Sequence, residues 1–283
     1  MARKVAVLIA AHNAEATLRL AVESVLAGSM PCRVVVVDDA SRIPVSQILG
    51  TYGGRVEIIR LDQNRGPAAA RNVGLARILA QGFDYVAIQD ADDMSYADRL
   101  AAQVEALEAA PELGAVGSWT RHFDERTGAT TLYRKRPTDP AAVSRMMFFN
   151  IGLSHASTMF RADALRALGV YDETYAAAED YELLRRIGTR YALGNVPQFL
   201  LAYRVSSQGQ SLGRRRRQLF DRLRVQLKYF APFAWRAYAG VLQTLVAFAI
   251  PTGLIGALKR RWLALRGHGY TLDGQRLTAH LAK

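Results

Sequence analysis

A single cysteine, Cys32, stands among the 283 residues. One thiol excludes an internal disulfide framework and any multi-cysteine metal site, and it fits a reducing compartment. No signal peptide is legible either. Arg3 and Lys4 precede only seven apolar residues, Val5 to Ala11, which run into His12, Asn13 and Glu15 without a small-residue cleavage site. That run reads as a buried β-strand, so the body of the protein is expected in the cytoplasm. No G-x-G-x-x-G follows it, which removes the dinucleotide-binding turn. Half of the chain is hydrophobic and 22% is charged, which excludes disorder, collagen and coiled-coil rods. The length suits one larger α/β domain, or one domain with an appendage.

The formal charge of +12 suggests nucleic acid until it is mapped. Residues 1–203 are nearly neutral, at −1, and residues 204–283 carry +13. The excess belongs to the last 80 residues alone.

Through the first 120 residues, short Val/Ile-rich runs alternate with helical patterns. Strands are expected at Lys4–Ala10, Arg33–Asp38, Val56–Arg60, Tyr85–Gln89 and Ala115–Trp119. Helices are expected at Ala14–Ala27, Pro44–Leu49, Pro67–Gln81 and Ala97–Ala110. Continuously apolar strands are buried on both faces, which predicts an α/β fold with a doubly wound, mainly parallel sheet and right-handed crossovers. Beyond Trp119, Arg121–Arg136 reads as a hairpin or loop. Helices follow at Pro140–Phe149, Ala162–Leu168 and Glu179–Ile187, then a strand near Phe199–Tyr203 and a Ser/Gly/Gln-rich linker at Ser206–Gly213.

Ligands of open α/β sheets bind beyond the carboxyl ends of the strands. Polar groups arrive there directly after apolar runs: His12-Asn13, Asp38-Asp39, Asn64-Arg65-Gly66-Pro67 and Asp90-Ala91-Asp92-Asp93. Three carboxylates in four residues repel one another, and their oxygens suit Mg²⁺ or Mn²⁺ carrying a phosphate ligand. An acidic turn capping the helix near Ala97 accounts for the same residues without chemistry. Asp38-Asp39 offers carboxylates to a base or ribose, or forms an Asx-turn. Pro67 opens a helix whose free N–H groups, with Arg71, face an anion or a base edge, or simply start a helix.

The combination VDDAS, NRGPAAARN and DADD, each at a strand end, resembles family 2 glycosyltransferases of the glycosyltransferase-A fold. The resemblance continues through His155–Arg161, Leu168–Glu173, Ala178–Leu183 and Tyr203-Arg204, and so covers roughly residues 3–206. It implies a catalytic domain over 1–205, with a nucleotide-binding half at 1–120 and an acceptor half at 121–205, followed by a helical tail at 206–283. It implies nucleotide-sugar contacts from Ala11, Asn13, Asp38, Asp39, Arg71, Asp90, Ala91 and Asp92, with Asp90 and Asp92 holding a divalent cation. Asp93, His155 and Glu179 would lie on the acceptor side, and Asp180 would be the catalytic base of an inverting displacement. Such a step needs a carboxylate to take the acceptor proton and a cation to stabilise the departing diphosphate. The expected donor is a UDP-sugar and the expected acceptor a lipid-linked or other envelope saccharide. Two positions depart from the family pattern: Ala10-Ala11 replace the usual Pro-containing strand end, and Ser206 stands where many members carry His. The Gln-x-x-Arg-Trp of processive synthases is absent, which points to single addition. A nucleotidyltransferase would need a Gly-rich basic loop after the first strand, and Ala10–Ala14 supplies none.

The tail opens with Arg214–Arg217, continues with Tyr229, Phe230, Phe233, Trp235 and Tyr238, and then runs 22 residues, 237–258, without a formal charge. That is long enough to span a bilayer. Spanning would translocate Lys259, Arg260, Arg261, Arg266, Arg276 and Lys283 against the positive-inside preference, and Pro251 interrupts the run. The expectation is therefore a membrane-associating tail whose helices at 214–266 lie in, or re-enter, an anionic cytoplasmic membrane surface. Packing on the globular body is the plainer alternative. A nucleic-acid-binding protein would explain the charge but not the uncharged run, so no nucleic acid partner is expected; an oligomer is compatible with the sequence.

Overall fold

The computed structural model describes residues 3–205 and 215–250. The expected linker at Ser206–Gly213, Arg214 and residues 251–283 lie outside the described residues.

Among the described residues, nine strands form one sheet. They are β1 (Val5–Ala11), β2 (Arg33–Asp38), β3 (Val56–Arg60), β4 (Tyr85–Asp90), β5 (Met94–Ser95), β6 (Leu113–Asp124), β7 (Thr130–Arg134), β8 (Met159–Arg161) and β9 (Ala192–Val205). Their order is β3-β2-β1-β4-β8-β6-β9-β5, with β7 paired to β6. Strands β3, β2, β1 and β4 are mutually parallel, as are β6 and β9, whereas β8 runs antiparallel between β4 and β6. The helices are α1 (Leu18–Leu26), α2 (Val45–Leu49), α3 (Pro67–Ala80), α4 (Arg99–Ala109), α5 (Pro140–Met146), α6 (Ala162–Leu168), α7 (Glu179–Ile187), α8 (Arg215–Lys228) and α9 (Trp235–Ala249).

The strand alternation of period two divides the core. Ala6, Leu8, Val35, Val37, Val86 and Ile88 face α3 and α7, whereas Val7, Ile9, Val34, Val36 and Ala87 face α1 and α4. Both layers are built mainly of apolar side chains, as the unbroken apolar strands require. Helix α3 lies especially close to the sheet. A Cβ on Gly74 would stand 2.2 Å from Leu8 Cδ1 and 3.0 Å from Val37 Cγ2, so only glycine permits this approach.

Several differences from the sequence reading have clear causes. Helix α1 starts at Leu18 rather than Ala14, because Thr17 turns away to donate its hydroxyl to the Ala91 carbonyl at 2.9 Å. Helix α5 ends at Met146 rather than Phe149. Strands β6 and β9 run 12 and 14 residues, well past their apolar stretches, because their extensions pair with each other and β6 pairs also with β7. The Ser118 amide donates to Ser157 Oγ at 3.1 Å, and Asn195 donates to the Pro137 and Gly152 carbonyls. Residues 121–136 are a hairpin, turned where Asp124 Oδ1 accepts from the Arg126 and Thr127 amides. Strand β8 has only three residues, too few to show a period.

Helices α8 and α9 pack on the body. Glu182 on α7 is fully buried and accepts from Arg186, from Lys228 on α8 at 2.8 Å and from Tyr229 at 2.6 Å. Ala237, Gly240 and Thr244 bury one face of α9, with Gly240 against the Phe148 carbonyl. No described helix is long and apolar enough to cross a membrane.

Gly74→Val will lower stability by about 1–3 kcal/mol, the range for overpacking a filled core. Chemical denaturation checks this; an unchanged midpoint would show that α3 can lift from β1 without loss.

Candidate active site

The carboxyl ends of β1, β2 and β4 meet along one edge. Asp38 ends β2 and is fully buried. Its oxygens accept from the Ser41 amide at 2.9 Å, the Val45 amide at 3.1 Å and the Arg60 guanidinium at 2.5 Å. Burial works against its charge, but these donors hold its pKa below the usual carboxylate value. Asp38 therefore builds the turn. Asp39 is also buried and receives the Arg65 amide at 2.7 Å and the Gly66 amide at 2.9 Å, which fixes the loop that opens α3. Its own amide donates to the Ala11 carbonyl at 2.8 Å. The His12 ring bonds the Asp39 carbonyl at 2.7 Å, and Asn13 links to Ser41 and Arg42. Asn13 and Ala40 both adopt positive φ, 50° and 54°. These strained backbones face one another at adjacent strand ends, a pattern that clusters at ligand sites.

The β4 end carries the acidic group. Asp90 is one-third exposed, and its Oδ1 accepts from Arg71 at 2.9 Å. Ala91 is half-buried, its carbonyl held by Thr17. Asp92 is exposed and joins no ion pair among the described residues; partial desolvation and the neighbouring Asp90 raise its pKa. Asp93 points inward. Its Oδ1 accepts from the Arg204 amide at 2.9 Å, while its buried Oδ2 has no hydrogen-bond partner. Burial, with Asp90 and Asp92 adding, pushes it well above the carboxylate range.

Beneath this turn lies a buried cation. Arg99 is fully buried and donates to Gln89, Ser95, Gln103 and the Ile88 carbonyl, the last at 2.6 Å. Burial lowers its pKa to about 10, partly offset by Asp93 and Asp90. Arg99 was not among the expected site residues, and neither were Gln89, Arg60 and Tyr171; a charged side chain inside an otherwise apolar helical face is the signal that could have marked Arg99.

Arg71 joins the two halves. Side-chain exposure is 10%, with one guanidinium nitrogen on Asp90 and the other 3.2 Å from Glu179 at the start of α7. Burial opposes its charge, but Asp90, Tyr171, Glu179 and Asp180 together raise its pKa. Asn72, next on α3, exchanges hydrogen bonds with the amide and carbonyl of Tyr171. The Tyr171 hydroxyl shares a 2.9 Å bond with His155 Nε2. Burial, together with Arg71, lowers the His155 pKa to about 4, so the ring is neutral near pH 7. Glu179 is raised to about 7 by burial and by Asp180, against the pull of Arg71. Asp180 is half-buried; its Oδ1 accepts from the Tyr181 amide at 2.7 Å, and its side chain lines a cavity of about 430 Å³ between α7 and α8. A larger cavity, about 510 Å³, lies between α5, α7 and Tyr229, but no acidic residue or histidine lines it.

Among the described residues, no group of three His, Cys, Asp or Glu is placed to hold a metal alone. Asp90 and Asp92 nonetheless fit a hard cation that keeps one or two protein carboxylates and completes its shell with phosphate oxygens. The repulsion of Asp92 by Asp90, only partly offset by Arg204, and the orphaned Asp93 oxygen are what a nearby cation would relieve.

The model of glycosyl transferase family 2 matches residues 6–169. The chain belongs to that family. Among curated relatives, the amylovoran biosynthesis glycosyltransferase AmsE of Erwinia amylovora is 28% identical over 171 residues, 58% of this chain and 62% of that one. The matched part spans 60–77% of the length of the first such relatives. Staphylococcus aureus TarS 1–349, solved with UDP-GlcNAc, superposes with a TM-score of 0.65 at 18% identity, over 87% of this chain and 73% of that one. A mannosyltransferase from Pyrobaculum calidifontis, solved with GDP-Man and Mn²⁺, gives 0.63 at 19% identity, over 99% and 80%. The fold is thus that of glycosyltransferase-A enzymes, with the mixed sheet described above.

The raised Glu179 carboxyl makes a signed prediction. The native protein keeps a proton there up to about pH 7 that an ordinary unfolded glutamate releases near 4.5. Its contribution to stability is therefore greatest below pH 4.5 and is lost as pH rises through 7. In metal-free buffer, the melting temperature of wild type relative to Glu179→Gln will fall between pH 5 and pH 8; a constant difference would show that Glu179 does not titrate in that window.

Proposed function

We propose that this protein is an inverting glycosyltransferase that moves a sugar from a nucleoside-diphosphate sugar, a UDP-sugar, to a saccharide or lipid-linked acceptor of the cell envelope. The observation that carries this reading is Asp180. It stands beside the Arg71-bridged cluster at the strand ends on one side and lines an open cavity on the other. The family match and the nucleotide-sugar complexes of same-fold neighbours support the donor class, and the AmsE relative supports a polysaccharide setting.

In this reading, Ala11, Asn13 and Asp39 border the base, while Asp38 keeps the turn beneath them. Asp90 and Ala91 lie toward the ribose and diphosphate, and Arg71 fixes the orientation of Asp90. Asp90 and Asp92 would hold Mg²⁺ or Mn²⁺, which supplies positive charge to the diphosphate when bound. Asp180 takes the proton from an acceptor hydroxyl as that oxygen bonds to the anomeric carbon and the nucleoside diphosphate departs. One displacement inverts the configuration. Glu179 keeps its tie to Arg71 and leaves Asp180 as the carboxylate facing the cavity; neutral His155 and Tyr171 fill the space behind without adding charge.

Purified protein with UDP- and GDP-sugar panels and Mn²⁺ will release nucleoside diphosphate. Asp180→Asn will lower transfer by about 10²–10⁴-fold, the range for a lost general base, with donor affinity retained. Full activity in that variant would remove Asp180 from the role.

The same reading sets the enzyme on an anionic membrane surface. On α9, Trp235, Tyr238, Leu242 and Leu245 recur at i, i+3, i+7 and i+10 and stay exposed, opposite the face buried on the body. An aromatic-aliphatic stripe beside arginines is the pattern of interfacial helices. The full chain will co-sediment with phosphatidylglycerol vesicles, and Leu242→Glu with Leu245→Glu will weaken that binding at least about tenfold, given about 1.5–3 kcal/mol for each buried leucine. Equal sedimentation of the double variant would discard the stripe as the anchor.

A further inference from the structure

The cavity behind Asp180 has a second wall that the transfer chemistry does not use. It is lined on one side by Asn150, Ile151, Ala177 and Ala178, and on the other by Arg215, Leu219 and Arg222 of α8. At about 430 Å³ it is within the usual range of small-ligand sites, about 300–1,000 Å³.

The arginines of α8 fall into two sets. Arg217 and Arg224 both pair with Asp221, which is fully buried and also accepts from the Ala177 amide. Both are paired with it and serve to dock the helix. Arg215 and Arg222 form no ion pair with any described carboxylate. Arg222 donates to the Phe149 carbonyl, yet its buried Nε has no partner. Arg215 donates to the Ala247 and Ile250 carbonyls, at 2.5 and 3.1 Å. Two guanidiniums without a direct ion pair therefore share a half-enclosed space with one carboxylate, Asp180, and walls that are otherwise largely apolar. The lining keeps an excess of positive charge, which an anion between the guanidiniums would balance.

We propose that this cavity is the acceptor subsite and that Arg222 and Arg215 hold a phosphate group on the acceptor, with the hydroxyl to be glycosylated presented to Asp180. The assignment rests on the reading of Asp180 as the base. One carboxylate and two cations lining a single space match a molecule that carries both a hydroxyl and an anion. A phosphate fits better than a carboxylate, because it offers three oxygens and more negative charge to two guanidiniums that approach from different directions. The source of the phosphate is either an alkyl (lipid) phosphate or a soluble phosphate ester. The first is favoured by Arg215, which ties the cationic wall to the carboxyl end of α9, the helix with the exposed apolar stripe.

The test is calorimetric titration of the full chain in metal-free buffer, with UDP present to occupy the donor side. The probes are hexyl phosphate, inorganic phosphate and hexanol. Hexyl phosphate is expected to bind and hexanol is not. The Arg215→Gln, Arg222→Gln double variant is expected to weaken hexyl phosphate at least about tenfold, the scale of losing charge-assisted hydrogen bonds. Arg216→Gln, an exposed arginine that does not line the cavity, should change it less than about twofold. Tighter binding of hexyl than inorganic phosphate assigns a lipid source; equal binding supports the subsite with a soluble ester. Asp180→Asn tests the same space without touching the arginines, and is expected to tighten hexyl phosphate by removing a facing negative charge. Absence of binding to wild type, or a folded double variant that binds as wild type does, overturns the proposal. Should the double variant fail to fold, an unchanged affinity in Asp180→Asn overturns it instead. Nucleoside diphosphate release from sugar donors is scored separately. Arginine-dependent phosphate binding without such release would leave a phosphate site and sink the glycosyltransferase reading; release without phosphate binding would do the reverse.

Discussion

One guanidinium holds the two halves of the site in register. Arg71 leaves α3 and spans from Asp90, at the end of β4, to Glu179, at the start of α7. A cation this deeply buried is tolerated only because acidic side chains meet it from both halves, and losing both would strand a buried charge. The requirement runs outward. Helix α3 must lie flat on β1, which Gly74 permits, and its start must be fixed, which Asp39 does through the Arg65 and Gly66 amides. Asn72, one residue further along, then pins the Tyr171 backbone. A single helix thus sets the distance between the strand-end carboxylates and the α7 carboxylates.

The acidic residues divide by what their oxygens are already doing. Asp38, Asp39, Glu182 and Asp221 are buried and spend their acceptors on amides, arginines, a lysine and a tyrosine. Such carboxylates hold turns and helices in place. Asp92 and Asp180 differ: each reaches open space with acceptor capacity to spare. Asp93 is the intermediate case, buried with one oxygen unmet and repelled by its neighbours. Buried Arg99 behind it offsets part of that repulsion, so the turn survives without an ion while remaining disposed to receive one.

This division explains how far the residue pattern carried. The strands β1 to β4, their crossover helices and the carboxylate-bearing ends were legible, because an apolar run ending in a charged group has one economical placement in an α/β sheet. Helices α6 and α7 were legible to the residue. What stayed hidden depended on partners distant in sequence. Nothing near Asp38 announces Arg60, and nothing near Ser118 announces Ser157. The first pair decides that one carboxylate builds a turn, and the second ties β6 to the turn before β8. Strand β8 was hidden for another reason: three residues, flanked by a turn and a helix, carry no period to read.

The charge of the last 80 residues can now be partitioned for α8. Asp221 pairs with both Arg217 and Arg224, and Glu182 with Asp172 takes Lys228, so part of the excess is structural and faces the body. This weakens any account in which α8 presents a continuous basic face to a nucleic acid. It leaves Arg215 and Arg222 as the cations that line a cavity without a direct ion pair among the described residues, and Arg216 as one turned to solvent. Helix α9 is divided in the same way, with small residues toward the body and aromatic and aliphatic residues away from it. A helix that is apolar on both faces is stable only when each face meets something other than water. The body supplies one of those surfaces; in the proposed reading a membrane supplies the other, in the place where a lipid-borne acceptor would arrive.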